Sequence, residues 1–210
     1  RDKIPESERQ FNDVWQVFCL GDSVYFLTRE KIFRYFQGRF SILPGKFATS
    51  QSLVFQDHLF YVDADHGLSV IQGDQIRPLA ALHWLSNGAR LSFAPFGEHE
   101  MLAVRASGEM FVIHLKSLWN PDSRSYEDKP VERERIAVNF HSPVAEFAKL
   151  AKGSSYRLYR IRGNHHEHLF ALATLKGGVV IFDERGQVQR TLNKATGLVD
   201  NTVTSLYQDQ

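Results

Sequence analysis

The sequence predicts an all-β fold made of a repeated four-stranded unit. Three features support this prediction: a high aromatic content, short alternating apolar runs, and tight turns between paired runs. The 210 residues include 16 Phe, 7 Tyr and 3 Trp, and aromatic side chains are enriched in strands. A chain of this length is long enough to bury a substantial core.

Four segments share one pattern, in which two apolar strands are joined by a tight turn. The paired runs are 24–28 with 32–35, 59–63 with 68–71, 101–105 with 110–113, and 169–174 with 179–182. Three of the four turns contain glycine, namely Gly67, Gly108 and the pair Gly177 and Gly178. Glycine is expected where a hairpin needs a positive φ. The pattern therefore predicts four β-hairpins.

The hairpins recur at the length of a larger unit. Their first strands begin at residues 24, 59, 101 and 169, so the first two steps are 35 and 42 residues. A four-stranded propeller blade takes about 40–50 residues. Each hairpin is preceded by another alternating run and followed by polar turn residues and a weaker strand. The preceding runs are 14–17, 52–55, 90–93 and 157–161, and 203–207 is a fifth run without a hairpin.

Three strong strands and a weak outer one are typical of a propeller blade. We therefore predict a partial β-propeller of about four four-stranded blades and the start of a fifth, within a single domain over residues 1–210. The blades are placed at 11–48, 49–86, 87–155 and 156–196, with the next starting at 197–210. A β-sandwich also has short strands at close spacing. The recurrence of the unit at a common length favours the propeller.

The third step is longer, which indicates an insertion at 117–153. Residues 117–135 are polar and contain two prolines, which predicts a long loop. One short helix should follow, capped by Ser142, starting at Pro143 and ending at Gly153. Its apolar face consists of Val144, Phe147, Leu150 and Ala151.

The segment GLVDNTVTSLYQD at 197–209 resembles the two-component regulator propeller repeat. The positions that match are Gly197, Leu198, Asn201, Val203, Leu206 and Asp209, and Val199 replaces the usual proline. Other units follow the repeat more loosely, through Val14, Val17, Val24 to Thr28, Leu158, Ile161, Leu169, Phe170 and Thr174. Tyr25 stands where the family has Trp.

The resemblance implies a place in a bacterial membrane receptor. In that family an extracytoplasmic propeller region, often with seven blades, precedes a transmembrane helix and a cytoplasmic histidine kinase or diguanylate cyclase. The chain is therefore expected to be a fragment of the periplasmic, ligand-sensing part of an inner-membrane protein. The expected ligand is an unknown small molecule or oligosaccharide, and the membrane is contacted only through other parts of the parent protein.

An incomplete ring would leave open sheet edges, so we expect either self-association, as a dimer, or stabilisation by the helical insertion. Two other functions stay open. One is a scaffold for protein partners, although the repeated Trp-Asp dipeptide of WD propellers is missing. The other is a propeller hydrolase or lyase, although no convergent catalytic set is present. We expect no enzymatic activity in this part of the chain.

The composition limits which kinds of partner and compartment can be expected for the chain. The net charge is +1, which gives no electrostatic reason to expect nucleic acid. Cys19 is the single cysteine, so no internal disulfide can form, a situation compatible with the cytosol or the periplasm. No apolar run approaches the roughly 20 residues of a membrane-spanning helix.

Several residues have side chains that could carry chemistry. The most metal-like cluster is Asn164, His165, His166, Glu167 and His168, since zinc accepts imidazole ligands. We interpret it as a polar hairpin turn and expect neither a metal nor a cofactor.

Asp57, Asp63, Asp65 and His66 could support acid–base catalysis, but turn chemistry explains their positions. No catalytic residue is predicted, and the ligand-binding residues are unknown.

The remaining candidates also have simpler explanations. Cys19 is expected to be a small buried apolar residue. Lys176, Gly177 and Gly178 lack the spacing of a phosphate-binding loop, and a hairpin turn is the better interpretation. His83, Trp84 and Asn87 precede an inner strand, where a Trp could line a pocket or pack between blades.

Overall fold

The computed structural model describes residues 4–48, 51–86, 90–127, 129, 137–139, 145–152, 155–162 and 168–207. Within this part of the chain the strands form four four-stranded antiparallel sheets and one two-stranded hairpin. The all-β prediction is confirmed, whereas the number of blades and their bounds stay predictions.

The first and second sheets are simple meanders in which each strand pairs with the next. The first sheet contains β1 (Gln16–Leu20), β2 (Ser23–Leu27), β3 (Ile32–Phe36) and β4 (Arg39–Leu43). The second sheet contains β5 (Leu53–Phe55), β6 (His58–Asp63), β7 (Gly67–Gln72) and β8 (Gln75–Pro78).

The third sheet departs from a simple meander because the insertion separates its last two strands. It contains β9 (Leu91–Gly97), β10 (Glu100–Arg105), β11 (Met110–His114) and β14 (Ala137–Asn139). The fourth sheet is again a meander of β15 (Ser155–Arg162), β16 (His168–Thr174), β17 (Val179–Asp183) and β18 (Val188–Leu192).

Contacts group the chain into two compact units. The first consists of Arg1–Gly88 with Asn120–Pro130, and the second of Ala89–Trp119 with Val131–Gln210. The first and second sheets belong to the first unit, and the third and fourth sheets to the second unit. The single-domain boundary stays a prediction.

In the first unit the two sheets pack face to face. Alternate residues of the first sheet, Tyr25, Leu27 and Ile32, lie in one buried cluster with Leu59 and Tyr61 of the second sheet. The Tyr25 hydroxyl also donates a hydrogen bond to the carbonyl of Gly73 at 2.8 Å. Because side chains alternate along a strand, this packing places Phe26 and Phe33 on the opposite face of the first sheet.

In the second unit the third and fourth sheets share a core with a helix. The buried cluster joins Leu102 and Val112 of the third sheet to Phe170 and Phe182 of the fourth. Helix α1 (Ala145–Ala151) buries its Phe147 in the same cluster, where the Phe147 and Phe182 ring centroids are 4.7 Å apart.

The predicted helical insertion is confirmed in position. Phe147 and Ala151 are buried and Leu150 packs against the core, as the predicted apolar face requires. Its predicted cap and stop, Ser142, Pro143 and Gly153, and the face residue Val144 lie outside the described residues.

The prediction of a featureless loop at 117–135 is wrong for its first part. The hairpin of β12 (Trp119–Asn120) and β13 (Ser125–Tyr126) forms there. Tyr126 is fully buried. Its ring lies edge-on to Phe60 and His58, at 5.0 and 5.3 Å. Its hydroxyl donates to Gln56 Oε1 at 2.6 Å. One aromatic side chain in a polar segment thus attaches the insertion to the second sheet.

The described residues also contain four short 3-10 helices, at Glu6–Glu8, Ala80–Ser86, Lys116–Leu118 and Lys194–Thr196.

The predicted strand at 203–207 is not formed, since residues 202–207 do not belong to any strand. A strand needs a neighbouring strand, and among the described residues Val203 N–H bonds only to the carbonyl of Thr174. That residues 197–210 begin a further blade stays a prediction. No helix in the described residues is long and apolar enough for a membrane span.

Gly67 closes the hairpin of the second sheet in a conformation that other residues rarely adopt. Its φ is +79°, and a Cβ atom there would lie 2.5 Å from the Leu82 carbonyl oxygen and 2.8 Å from His83 Cα. Gly38, in the last turn of the first sheet, has a φ of +81° and nothing within 4 Å of such an atom. The two glycines therefore share backbone strain but differ in available space.

We expect Gly38→Ala to cost about 1 kcal/mol of unfolding free energy, from backbone strain alone. Gly67→Ala should cost about 1–3 kcal/mol more, because the methyl group overlaps a backbone that cannot move freely. Urea unfolding of both variants measures the difference. Equal losses would contradict the close approach at Gly67.

Replacing Tyr126 should weaken the attachment of the insertion. Tyr126→Ala removes a buried aromatic side chain and should cost about 3–5 kcal/mol. Tyr126→Phe removes only the hydroxyl bond to Gln56 and should cost about 1–2 kcal/mol. Tyr207→Phe, at a side chain that is 89% exposed, is the control in urea unfolding. Wild-type stability of Tyr126→Ala would show that the insertion contributes nothing.

Candidate functional site

The histidine-rich segment offers no metal site in the described residues. Residues 164–167 lie outside them. His168 begins β16 and is exposed, and its Nδ1 accepts a hydrogen bond from Arg160 Nη2 at 2.5 Å. No group of three or more His, Cys, Asp or Glu side chains in the described part of the chain could hold a metal ion. The absence of a metal stays a prediction.

The Asp63 carboxylate is the most heavily hydrogen-bonded acidic group on the hairpin of the second sheet. Its Oδ1 accepts from the backbone N–H of Asp65 and of His66, and from His66 Nδ1, at 2.9–3.0 Å. Its Oδ2 accepts from Lys46 N–H at 2.9 Å and from the Tyr61 hydroxyl at 3.2 Å. The side chain is almost completely buried.

These donors fix the ionisation of Asp63. Burial alone would raise its pKa, but the N–H groups of Lys46, Asp65 and His66 and the His66 side chain outweigh burial and hold the pKa below its usual value. Burial, and then the neighbouring carboxylate, raise the pKa of Tyr61. An ionised carboxylate with five donors is a poor proton acceptor, so the group stabilises a turn.

The other acidic side chains of this segment do not join Asp63. Asp65 points to Lys46 Nζ at 2.8 Å, and both side chains are largely exposed. Asp57 lies in the turn before β6, at the opposite end of that strand from Asp63. Paired carboxylates are therefore not formed, and the interpretation of this segment as turn chemistry agrees with the geometry.

Thr28 and Thr174 occupy the same position in their own sheets as Asp63 does in the second. Thr28 Oγ1 donates to the Lys31 carbonyl and accepts from Lys31 N–H. Thr174 Oγ1 donates to the Gly178 carbonyl and accepts from Gly177 N–H. Both hydroxyl groups are buried and close the hairpin between the second and third strands. The interpretation of Lys176 to Gly178 as a hairpin turn agrees with these bonds.

The residues of the repeat-like motif at 197–209 also have a structural role. Asn201 accepts at its carbonyl from Gly178 N–H, and Val203 N–H donates to the Thr174 carbonyl, at 2.9 and 2.8 Å. The Asn201 side chain accepts from Lys194 N–H at 2.8 Å. The motif therefore holds the connecting chain across the hairpin of the fourth sheet. Asp209 lies outside the described residues.

Cys19 and the pair His83 and Trp84 lie on different elements of the first unit. Cys19 lies in β1 and is exposed, so the expectation of burial is wrong, because its face of the first sheet points away from the second sheet. Trp84 is half-buried and His83 exposed, on the 3-10 helix Ala80–Ser86. Asn87 lies outside the described residues.

A concave pocket lies on the face of the first sheet opposite the second sheet. Its volume is about 540 Å³. The sheet contributes Phe26, Phe33 and Phe40, which stand on one face because β2, β3 and β4 pair in register. The segment before β1 contributes Ile4, Arg9, Phe11 and Val14.

The segment before β1, residues 4–15, is called the N-terminal strap. Its Phe11 packs on Phe33 with ring centroids 4.8 Å apart, and Arg9 Nε donates to the Ile4 carbonyl at 2.8 Å. Two side-chain contacts attach the strap to the hairpin between β2 and β3. Glu8 pairs with Lys31, and Asn12 Nδ2 donates to Glu30 Oε1. The strap therefore forms one wall of the pocket.

Sequence reasoning did not find this pocket. The alternation of Phe26, Phe33 and Phe40 was visible, but its meaning depends on the register that puts the three rings side by side. Most of the strap, residues 4–10, lies before the first predicted repeat unit, and only its last two residues belong to a predicted strand. The available signal was the aromatic residues on the face of the first sheet that the second sheet does not cover.

The lining of the pocket is mainly apolar and aromatic. Among the described lining residues Arg9 is the one ionisable side chain. Ligand sites of about 300–1,000 Å³ lined mainly by apolar and aromatic side chains are typical of small-molecule binding.

No family model matches the sequence, and no curated protein matches it. Solved structures do match. A WD40 domain, that of Neurospora crassa Pan2, aligns with 90% of this chain and 52% of its own at a TM-score of 0.51 and 12% identity. The chain has a β-propeller fold.

Two further similar structures are extracellular domains from B. thetaiotaomicron. One is the extracellular domain of BT3049, assigned as a hybrid two-component system, with a TM-score of 0.61, 15% identity, and 95% of this chain covered. The other is the extracellular domain of BT4673, assigned as a one-component system, with a TM-score of 0.55, 13% identity, and 100% of this chain covered. This chain spans about a quarter of each of them, 25% and 27%. The two structures are consistent with the family that the motif at 197–209 resembles.

We expect Asp63→Asn to lower stability by about 1–3 kcal/mol at pH 7, because an amide oxygen replaces a charged acceptor that binds five donors. The folded pKa of Asp63 lies below its unfolded value, so its contribution is present above about pH 4 and is lost as pH falls through the folded pKa. The gap between wild type and variant should therefore close at low pH.

Urea unfolding at pH 7, 5 and 3 measures this gap. Asp65→Asn is the control, and it should change stability little at any pH because its pair with Lys46 is exposed. A gap that is the same at pH 3 as at pH 7 would show that folding does not lower the pKa of Asp63.

Proposed function

We propose that this chain is part of the extracytoplasmic ligand-sensing region of a bacterial transmembrane receptor. The observation that carries the proposal is the similarity of 95% of the chain to the extracellular domain of BT3049. The motif of Gly197 to Asp209 supports it independently, because it resembles the repeat of the same class of receptor. Fold alone would not be enough, since propellers serve many unrelated functions.

In this proposal the chain lies in the periplasm and the parent protein crosses the inner membrane. The output is a histidine kinase or diguanylate cyclase domain of the parent, and the propeller region itself is not catalytic. A small molecule or oligosaccharide is the ligand. Two copies of the receptor associate, and ligand binding changes how they meet.

Signalling of this kind requires the ligand to bind one arrangement of the receptor more tightly than another. A ligand with equal affinity for both arrangements would change nothing, however tightly it binds. The sheets pack around buried cores, so we propose that the change occurs in how the sheets pack or in how two copies meet.

A protein scaffold is the second function to consider, because the Pan2 WD40 domain shares the fold. That similarity supports the fold but does not identify a protein that this chain would bind. The repeated Trp-Asp dipeptide of WD propellers is missing from the sequence. We therefore place the scaffold below the sensor.

The exposed Cys19 gives a direct test of location. We expect a membrane-impermeant maleimide to label Cys19 of the full-length protein in spheroplasts as completely as after lysis, if the chain is extracytoplasmic. Cys19→Ser is the control that assigns the label to this site, and a cytosolic thiol protein in the same cells monitors leakage. Labelling of Cys19 only after lysis would contradict the sensor proposal.

A further inference from the structure

We propose that the pocket beneath the N-terminal strap binds a small neutral ligand with a flat aromatic ring system. The proposal concerns only the first unit and gives a ligand class to a site that the sensor proposal does not specify. It holds whether or not the parent protein is a receptor, so its failure and the failure of the sensor proposal are separate results.

The pocket has the size of a small-molecule site. Its volume of about 540 Å³ falls within the usual range of about 300–1,000 Å³. The N-terminal strap and the first sheet form two facing walls, which are joined where Phe11 contacts Phe33 with ring centroids 4.8 Å apart. A folded protein could not enter between these walls without displacing the strap. The ligand is therefore small.

The lining sets the apolar character of the ligand. Phe26, Phe33 and Phe40 form an aromatic floor, because the register of β2, β3 and β4 puts them on one face of the sheet. The Phe26 and Phe40 centroids are 6.0 Å apart. Ile4 and Val14 add aliphatic groups to the lining. A strongly hydrated ligand would lose water contacts here without replacement.

The strap itself shows how a ring binds to this floor. Phe11 lies against Phe33 at an interplanar angle of 53°, and aromatic pairs gain from offset or tilted contact of this kind. A ligand ring can make the same contact with Phe26 and Phe40. A rigid flat ligand also loses less conformational freedom on binding than a flexible chain of the same size. These contacts favour an aromatic ligand over an aliphatic chain.

The lining favours a ligand without charge. Arg9, the one ionisable side chain among the described lining residues, is engaged within the protein. Its Nε donates to the Ile4 carbonyl at 2.8 Å across the 3-10 helix Glu6–Glu8, and the residue has a further interaction in the chain. An anionic ligand would have to compete with these contacts, or its charge would lose water without replacement. A cationic ligand would be repelled by the guanidinium group.

Calorimetric titration of the chain with 2-naphthalenemethanol tests the proposal. We expect one site with a dissociation constant on the order of 0.1 to 1 mM, as is reasonable for about a dozen heavy atoms. Decahydronaphthalene-2-methanol has the same heavy atoms but no aromatic face, and it should bind about three- to tenfold more weakly. The anion 2-naphthoate keeps the rings and adds a charge, and it should bind about tenfold more weakly or not at all.

Two matched variants separate the pocket from the rest of the sheet. Phe40→Leu keeps an apolar side chain and removes the ring. It should weaken 2-naphthalenemethanol about three- to tenfold and leave the decahydro compound nearly unchanged. Phe36→Leu is the control, because Phe36 is half-buried like Phe40 and belongs to the same sheet but lies outside the pocket lining. It should bind both ligands as wild type does. Thermal unfolding of each variant confirms that it is folded.

Saturable binding of 2-naphthalenemethanol that Phe40→Leu weakens and Phe36→Leu does not would support the proposal. It would be overturned by no saturable binding, by the same affinity in Phe40→Leu as in wild type, or by the same loss in both variants. Equal or tighter binding of the decahydro compound or of 2-naphthoate would overturn the assigned ligand class. A wild-type dimer in sedimentation that Phe40→Leu dissociates, while 2-naphthalenemethanol has no effect, would overturn it by assigning this face to a second copy of the chain.

Discussion

Each sheet of this protein carries apolar side chains on both faces, and this constraint governs its architecture. A strand that presents Tyr25 and Leu27 to one side necessarily presents Phe26 to the other, because successive side chains alternate. A four-stranded sheet cannot cover its own faces, so a second sheet must pack against it. In the first unit Leu59 and Tyr61 of the second sheet cover one face of the first. In the second unit the third and fourth sheets bury a shared core in the same way.

The opposite face of the first sheet is covered by an irregular segment and not by a sheet. Phe11 and Ile4 of the N-terminal strap line the pocket together with the phenylalanines of the first sheet. Glu8 and Asn12 attach the strap to the hairpin between β2 and β3. An irregular segment cannot interdigitate with three phenyl rings as a pleated sheet does. The unfilled volume is the pocket. The pocket thus lies between the first sheet and a segment of different shape.

The hairpin between the second and third strands shows how the repeat tolerates different residues. Thr28 and Thr174 close their hairpins with a hydroxyl group that both donates and accepts. Asp63 closes its hairpin with a carboxylate that only accepts, and neighbouring N–H groups and Tyr61 supply the donors. The requirement is that buried backbone groups find partners. Either kind of side chain satisfies this requirement. The position therefore resembles an acid–base residue in the second sheet and a simple turn residue in the first and fourth sheets.

The sequence by itself determined the repeated unit, the four hairpins, the all-β class and the position of the helix. These follow from alternation, from glycine at turns such as Gly67 and from the apolar face of Phe147 and Ala151, all of which are local properties of the chain. The bounds of the strands differed by a few residues, and the loop at 117–135 was mispredicted because a single ring, Tyr126, decides where that segment packs.

Only the tertiary structure decided which apolar face is covered and by what. The pocket depends on β2, β3 and β4 pairing in one register and on the N-terminal strap folding over one face, and neither is encoded in local periodicity. The same holds for Asp63, because the carboxylates of its sequence neighbours Asp57 and Asp65 do not pair with its own carboxylate. Local patterns specify how each strand forms, whereas long-range packing specifies which side chains meet, and binding depends on the second.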